Sequence, residues 1–251
     1  MDQRPNSMTE IAVTREGSGP ELLLVHGGAS ARATWHALER LSARWTLVIV
    51  HRRGYSPSPA GRHDFQLDAL DLEPLLASRP HVIAHSYGAL GTLIAAARSP
   101  ELVRSLTVIE PPLFSVARDD DEVARLERMG NEVLLRGLDA EPATLRAFLR
   151  LAGSPGVHDD GPLPAKVAHS VRRAHGGVLP GSAQPDLETL RVARIRSLIA
   201  SGGHSVALER ICDALASRLS AERFVVTGAG HFVQSTPEFS ERLARHLAAT
   251  D

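Results

Sequence analysis

Cysteine is nearly absent. Among 251 residues only Cys212 carries a thiol, so no disulfide can form within the chain, and a reducing, cytoplasmic setting is the expectation. Lysine is as scarce: Lys166 stands alone, and the other basic residues are arginine, which we read as coding bias rather than a binding signal. Excess charge is missing too. A net charge of −1 provides no bulk attraction to nucleic acid or an anionic membrane. No apolar run approaches the roughly 20 residues of a membrane helix, and the opening MDQRPNSMTE lacks the apolar stretch of a signal peptide. There is no HExxH, no paired CxxC and no complete phosphate loop, so neither a metal nor another cofactor is expected. Internal repeats and low-complexity tracts are also lacking.

What is present is a rhythm. Apolar runs rich in Val, Ile and Leu recur at 21–27, 45–51, 81–86, 103–110, 194–201 and 223–228, as expected of strands covered on both faces. Helical patterns at 31–43, 65–78, 87–98, 205–219 and 237–249 separate or follow them. This alternation predicts an α/β fold with a mostly parallel sheet and helices on both sides. IAVTREG at 11–17, before Gly19-Pro20, reads as an antiparallel strand at its start. From about 112 to 190 the rhythm stops. Helical segments such as EVARLERMGNEVLLRGL and PATLRAFLRLA are joined by the Gly/Pro-rich SPGVHDDGPLP and GGVLPGSAQP. So long a stretch is too much for a simple loop. The expected division is a core of 1–111 and 191–251, with a helical cap inserted at 112–190.

Within HVIAHSYGALGTLIAAA (81–97) a strand turns sharply into a helix of small residues, with Ser86 at the apex. Small-x-Ser-x-Gly in that context is a nucleophile elbow. Ala84 and Gly88 avoid collisions on either side of the bend, and Gly91 with the alanines after it is expected to let the helix lie close to the sheet. The N–H of Tyr87, at the positive end of the helix, points where an oxyanion would form. The plain alternative is a serine that merely caps the helix.

These features resemble the α/β-hydrolase family over nearly the whole chain. The resemblance rests on HGG at 26–28 with Trp35 downstream, on Arg53-Gly54 after the next strand, on the elbow, and on GAGH at 228–231. The chain departs from the family in having Ala84 where the elbow usually begins with glycine, and His51 where the strand's end often carries Asp. The resemblance implies that Ser86 is the nucleophile and His231 its base. It implies that Gly28, with Ala29 as its neighbour, provides a second oxyanion N–H beside that of Tyr87. His26 and His85 are read as loop supports.

The family most often places its acid after the strand that follows the insertion. Here that stretch reads SLIASGGHS, with His204 in the place of an acid. Glu110, closing the apolar strand LTVIE before two prolines, is the better candidate, since a buried carboxylate needs a partner and the histidine needs a buried anion. Certain haloalkane dehalogenases are similar in carrying their acid there. The alternative is a structural Glu110 bonding loop amides, with Asp213 or no acid in the role.

The reading is therefore a serine hydrolase of the triad Ser86–His231–Glu110, cleaving a carboxylic ester, thioester or lactone through an acyl-serine. Its partner would be a small molecule, an apolar acyl or lactone compound, with neither nucleic acid nor membrane involved; oligomeric state is open. Two other classes stay open: a C–C hydrolase, lyase or cyclase using the Ser-His pair as acid and base, and a ligand-binding protein without catalysis. Arg52-Arg53 and Arg172-Arg173 are read as solvated, the arginines of the insertion as a wet helix face in preference to a site for an anionic substrate, and Cys212 as a core residue.

Overall fold

The computed structural model describes residues 10–249. Seven strands form one sheet: β1 (Val13–Glu16), β2 (Glu21–Val25), β3 (Thr46–Val50), β4 (His81–His85), β5 (Ser105–Ile109), β6 (Ser197–Ser201) and β7 (Glu222–Val225). Their order is β1-β3-β2-β4-β5-β6-β7. β1 pairs antiparallel with β3 and every other pairing is parallel. Each apolar run is a strand, one to three residues shorter than the run that announces it.

The runs are continuous because alternate residues enter separate cores. Leu23 and Val25 of β2, Val82 and Ala84 of β4, and Leu106 and Val108 of β5 share one cluster. Leu22, Leu24, Ile83 and Ile109 belong to the other. The first core is closed by α2 (Phe65–Leu72), α3 (Gly88–Arg98) and α8 (Val206–Leu219), and the second by α1 (Ala31–Trp35) and α9 (Pro237–Ala248). Cys212 lies fully buried in the first.

Two expected helices are shorter than their patterns. The 31–43 segment is α1 followed by 3₁₀ turns over His36–Ala43, and 65–78 is α2 followed by 3₁₀ turns over Glu73–Ser78. In the second case Pro74 lacks the N–H an α-helical ladder requires. Between β5 and β6 lie α4 (Asp121–Arg136), α5 (Pro142–Leu151), α6 (Ala165–Ala174) and α7 (Leu187–Val192), with no strand among them. Val133, Leu145, Leu149, Val167 and Val171 give α4–α6 a small core of their own, whereas Leu190 of α7 joins the main core.

Gly88, not Gly91, brings α3 close to the sheet. A Cβ on Gly88 would stand 2.2 Å from the His26 carbonyl oxygen, at the end of β2. One on Gly91 would meet Phe65 O and the Asp68 Cβ, so that glycine admits α2 instead.

Candidate active site

The carboxyl ends of β2, β4, β5, β6 and β7 point the same way, and the crevice beyond such ends is where open α/β sheets bind ligands. Ser86 follows β4 and Glu110 follows β5. The ladder continues through both: Ser86 N–H donates to Ile109 O at 2.9 Å and Glu110 N–H to Ala200 O at 3.1 Å. Both residues then leave the strand with left-handed backbones, φ +52° for Ser86 and +45° for Glu110. Such values are uncommon outside glycine and cluster at functional sites.

Glu110 is fully buried. Its Oε1 accepts from the Gly202 N–H at 2.7 Å, just past β6. Its Oε2 lies 2.6 Å from Nδ1 of His231. His204 Nδ1 stands 3.3 Å from Oε1. Burial works against the charge, but the hydrogen bonds from His204, His231 and Gly202 outweigh it and hold the carboxyl down at about 2. An ionised carboxylate only accepts, so the proton of the 2.6 Å bond sits on His231 Nδ1 and Nε2 is left as an acceptor. Ser86, Tyr87, Gly28, Glu110 and His231 all border one cavity of about 870 Å³. No acceptor among the described residues takes the backbone N–H of Gly28 or Tyr87. Asp213 is elsewhere, on α8, paired with Arg223 at 2.9 Å.

Residues 22–243 match the profile of the Alpha/beta hydrolase family. The chain belongs to the alpha/beta hydrolase family. It is 34% identical over 115 residues to a pimeloyl-[acyl-carrier protein] methyl ester esterase of Aeromonas hydrophila, covering 44% of this chain and 45% of that one. It is 38% identical over 107 residues to a 2-(acetamidomethylene)succinate hydrolase of Mesorhizobium japonicum, covering 40% and 38%. The chain thus spans less than half the length of these relatives. Among solved structures, an alpha/beta hydrolase from Sphaerobacter thermophilus superposes with TM-score 0.63 at 25% identity, over 94% of this chain and 96% of that one. A thermophilic esterase from Thermogutta terrifontis does so with TM-score 0.64 at 17% identity, over 96% and 93%; this second likeness is one of fold.

Around the cavity the chain has supports that its sequence reveals only partly. Gly27 is the tightest. A Cβ there would lie 2.7 Å from the Ser86 Cβ and 3.2 Å from its Oγ, so the first glycine of HGG leaves room for the serine. His85, one residue before Ser86, lies with Nε2 2.9 Å from His231 O and fixes that loop from below. Burial lowers the His85 imidazole to about 3, so it is neutral and donates through Nε2. His26 resembles it: burial, then the nearby Arg52 charge, push it well below its ordinary value.

Arg52 is not solvated. It is fully buried, and its Nε and Nη2 donate to Asp68 Oδ2 at 2.9 and 2.7 Å, while Nη1 donates to Gly27 O at 2.9 Å. Arg53 is likewise paired, with Asp71 at 2.7 Å. Both carboxylates lie on α2, beyond the reach of local pattern. The Tyr55 hydroxyl donates to Gly28 O at 2.8 Å and, its one proton used, accepts from His63 Nε2 at 2.8 Å. Glycine-rich 26–28 is therefore pinned at both of its last carbonyls.

His204 occupies the position at which an acid is commonest, and it faces Glu110. Its other nitrogen, Nε2, is 3.0 Å from Leu151 O, the last residue of α5. With one ligand atom each from Glu110, His204 and His231 within 4.8 Å of one another, the group has the composition of a cation site, but those atoms already bond one another.

Proposed function

We propose that this protein is a serine hydrolase that cleaves a carboxylic ester, thioester or lactone through an acyl-serine. The observation that carries the reading is the polarised histidine: His231 is held by Glu110 through Nδ1 at 2.6 Å, which leaves Nε2 free to take a proton in the cavity that Ser86 borders. In the reaction Ser86 Oγ attacks the carbonyl while Nε2 receives its proton. The unengaged amides of Gly28 and Tyr87 donate to the developing oxyanion, each worth roughly 3 kcal/mol. His231 then passes the proton to the leaving alcohol, thiol or ring oxygen. Water, activated by the same nitrogen, releases the acid and regenerates Ser86. Glu110 stays ionised throughout and stabilises the imidazolium.

The helices of residues 112–190 act as the cap that shapes the pocket, since Phe114, Leu126, Val133 and Phe148 all line the cavity. A relative described as a methyl ester esterase supports ester chemistry. One buried thiol, Cys212, suits a reducing compartment. Among the described residues no helix is long and apolar enough to cross a membrane.

Labelling with a fluorophosphonate tests the proposal. We expect a single adduct on Ser86, lost in Ser86→Ala, together with release of acid from simple esters. An unlabelled wild-type protein that still turns over substrate with Ser86→Ala at near-normal rate would replace the acyl-serine with an acid–base route.

A further inference from the structure

Arg173 differs from the other arginines around the site. Arg52 has Asp68 and Arg53 has Asp71, but no carboxylate among the described residues pairs with Arg173. It is nonetheless held in place. Its guanidinium carbon lies 4.2 Å from the centroid of the Tyr55 ring, and that ring is tied by its hydroxyl to Gly28 and His63. The guanidinium also reaches the Tyr55 hydroxyl, and a group of five N–H donors held over an aromatic face in this way has others left to donate.

Lys166, the one lysine of the chain, precedes Arg173 by two turns of α6. A spacing of seven puts both on one side of a helix of 3.6 residues per turn, and both border the cavity, as does His169 between them. Neither cation has a counter-charge there. The only carboxylate among the described wall residues is Glu110, already engaged by His231, Gly202 and His204. Much of the remaining wall is apolar, including Phe114, Leu126, Phe148 and Phe232. The wet helix face read from the sequence fits Arg172, which is exposed and does not border the cavity. It does not fit Arg173, which is half-buried and stacked. Two uncompensated cations, one half-buried and one exposed, offer an anion in the cavity charge-assisted contacts that weaken where water reaches them.

We propose that Arg173 and Lys166 form an anion-binding subsite of the cavity, and that the substrate carries a carboxylate on a part that does not react. The substrate class narrows from any apolar ester to one with a free carboxylate at its far end. The chemistry at Ser86 rests on the reading above; the subsite itself does not.

Two esters of one dicarboxylic acid separate these claims: methyl hydrogen suberate, which keeps one carboxylate, and dimethyl suberate, which has none. Equilibrium binding of both to Ser86→Ala measures the subsite without turnover, and kcat/KM on the wild type measures it during catalysis. We expect the mono-ester to be favoured by about tenfold or more, the scale of a charge-assisted contact. That preference should fall several-fold in Ser86→Ala/Arg173→Gln and in Ser86→Ala/Lys166→Gln, and shrink as salt is raised. Lys166 is exposed, so its variant carries no folding penalty to confuse the result. Equal or weaker binding of the mono-ester overturns the subsite, as does a preference that neither substitution moves. If binding discriminates while neither ester is hydrolysed, the subsite stands and the ester chemistry falls.

Discussion

Only as a cation can His204 donate to both of the protein acceptors that it faces. Nδ1 faces Glu110 Oε1 at 3.3 Å and Nε2 faces the Leu151 carbonyl at 3.0 Å; both are acceptors, and a neutral imidazole has one N–H to give. The Glu110 contact, ahead of the opposing burial, raises its affinity for a proton. Glu110 therefore divides its charge between two imidazoles, and whatever His204 draws is withheld from His231. Replacing it with Gln keeps a donor but removes the charge. We predict that His204→Gln moves the acid limb of the kcat/KM–pH profile for ester hydrolysis to higher pH, because one cation fewer stands beside the Glu110–His231 pair. The shift should be on the order of half a unit, as expected for a partly screened neighbouring charge. A purely structural His204 would instead lower the melting temperature and leave the limb where it is.

At the scale of elements, the site depends on how closely α3 docks at the end of β2. Gly88 stands at the first position of α3, where an added Cβ would be 2.2 Å from His26 O and 3.1 Å from Val25 O. Backbone atoms cannot swing aside as side chains do, so Gly88→Ala must displace the helix and Tyr87 with it. We expect a loss of about 1–3 kcal/mol in urea unfolding, the usual cost of overpacking, with fluorophosphonate labelling slowed in the protein that remains folded. An unchanged unfolding midpoint would show that the contact yields cheaply. Elements of this kind are what the sequence makes legible. A strand buried on both faces prints its residues as one apolar run, and a glutamate closing such a run, as Glu110 does, has few reasons to be there. Ser86 is readable because strand, bend and small-residue helix follow one another along the chain. Arg52 was misread because its partner Asp68 comes one loop later, on α2, and nothing local distinguishes a buried Arg-Arg pair from a wet one. The cavity side of α6 was hidden for a related reason: Lys166 and Arg173 come to border the cavity because Val167 and Val171 pack with residues of α4 and α5, which is decided by tertiary contact.

Taken whole, the molecule buries imidazoles that acid should turn against it. Burial, helped by Arg52 and Arg173, lowers His63 to about 3. Burial, then the neighbouring His231, lowers His85 to about 3. Burial, then Arg196, lowers His246 to about 4. An unfolded histidine titrates near 6.5, so the unfolded chain binds protons that the folded one refuses. A folded value below the unfolded one means that stability from neutral burial is present above pH 6.5 and is lost as pH falls toward 3 or 4. Each such group contributes at most about 2 kcal/mol of loss by pH 5. Glu110 acts in a separate, more acid window. Its folded value of about 2 lies below the ordinary 4.5, so its contribution persists at pH 5 and disappears only between those two values. Unfolding should therefore ease in two stages as acid is added. Urea midpoints measured from pH 8 to pH 4 should fall first below about 6.5, where histidines alone are titrating, and His85→Gln should flatten that first decline. A midpoint constant from pH 7 down to 5 would show that the interior admits these protons without opening, and that the supports beneath Ser86 and His231 are looser than their burial implies.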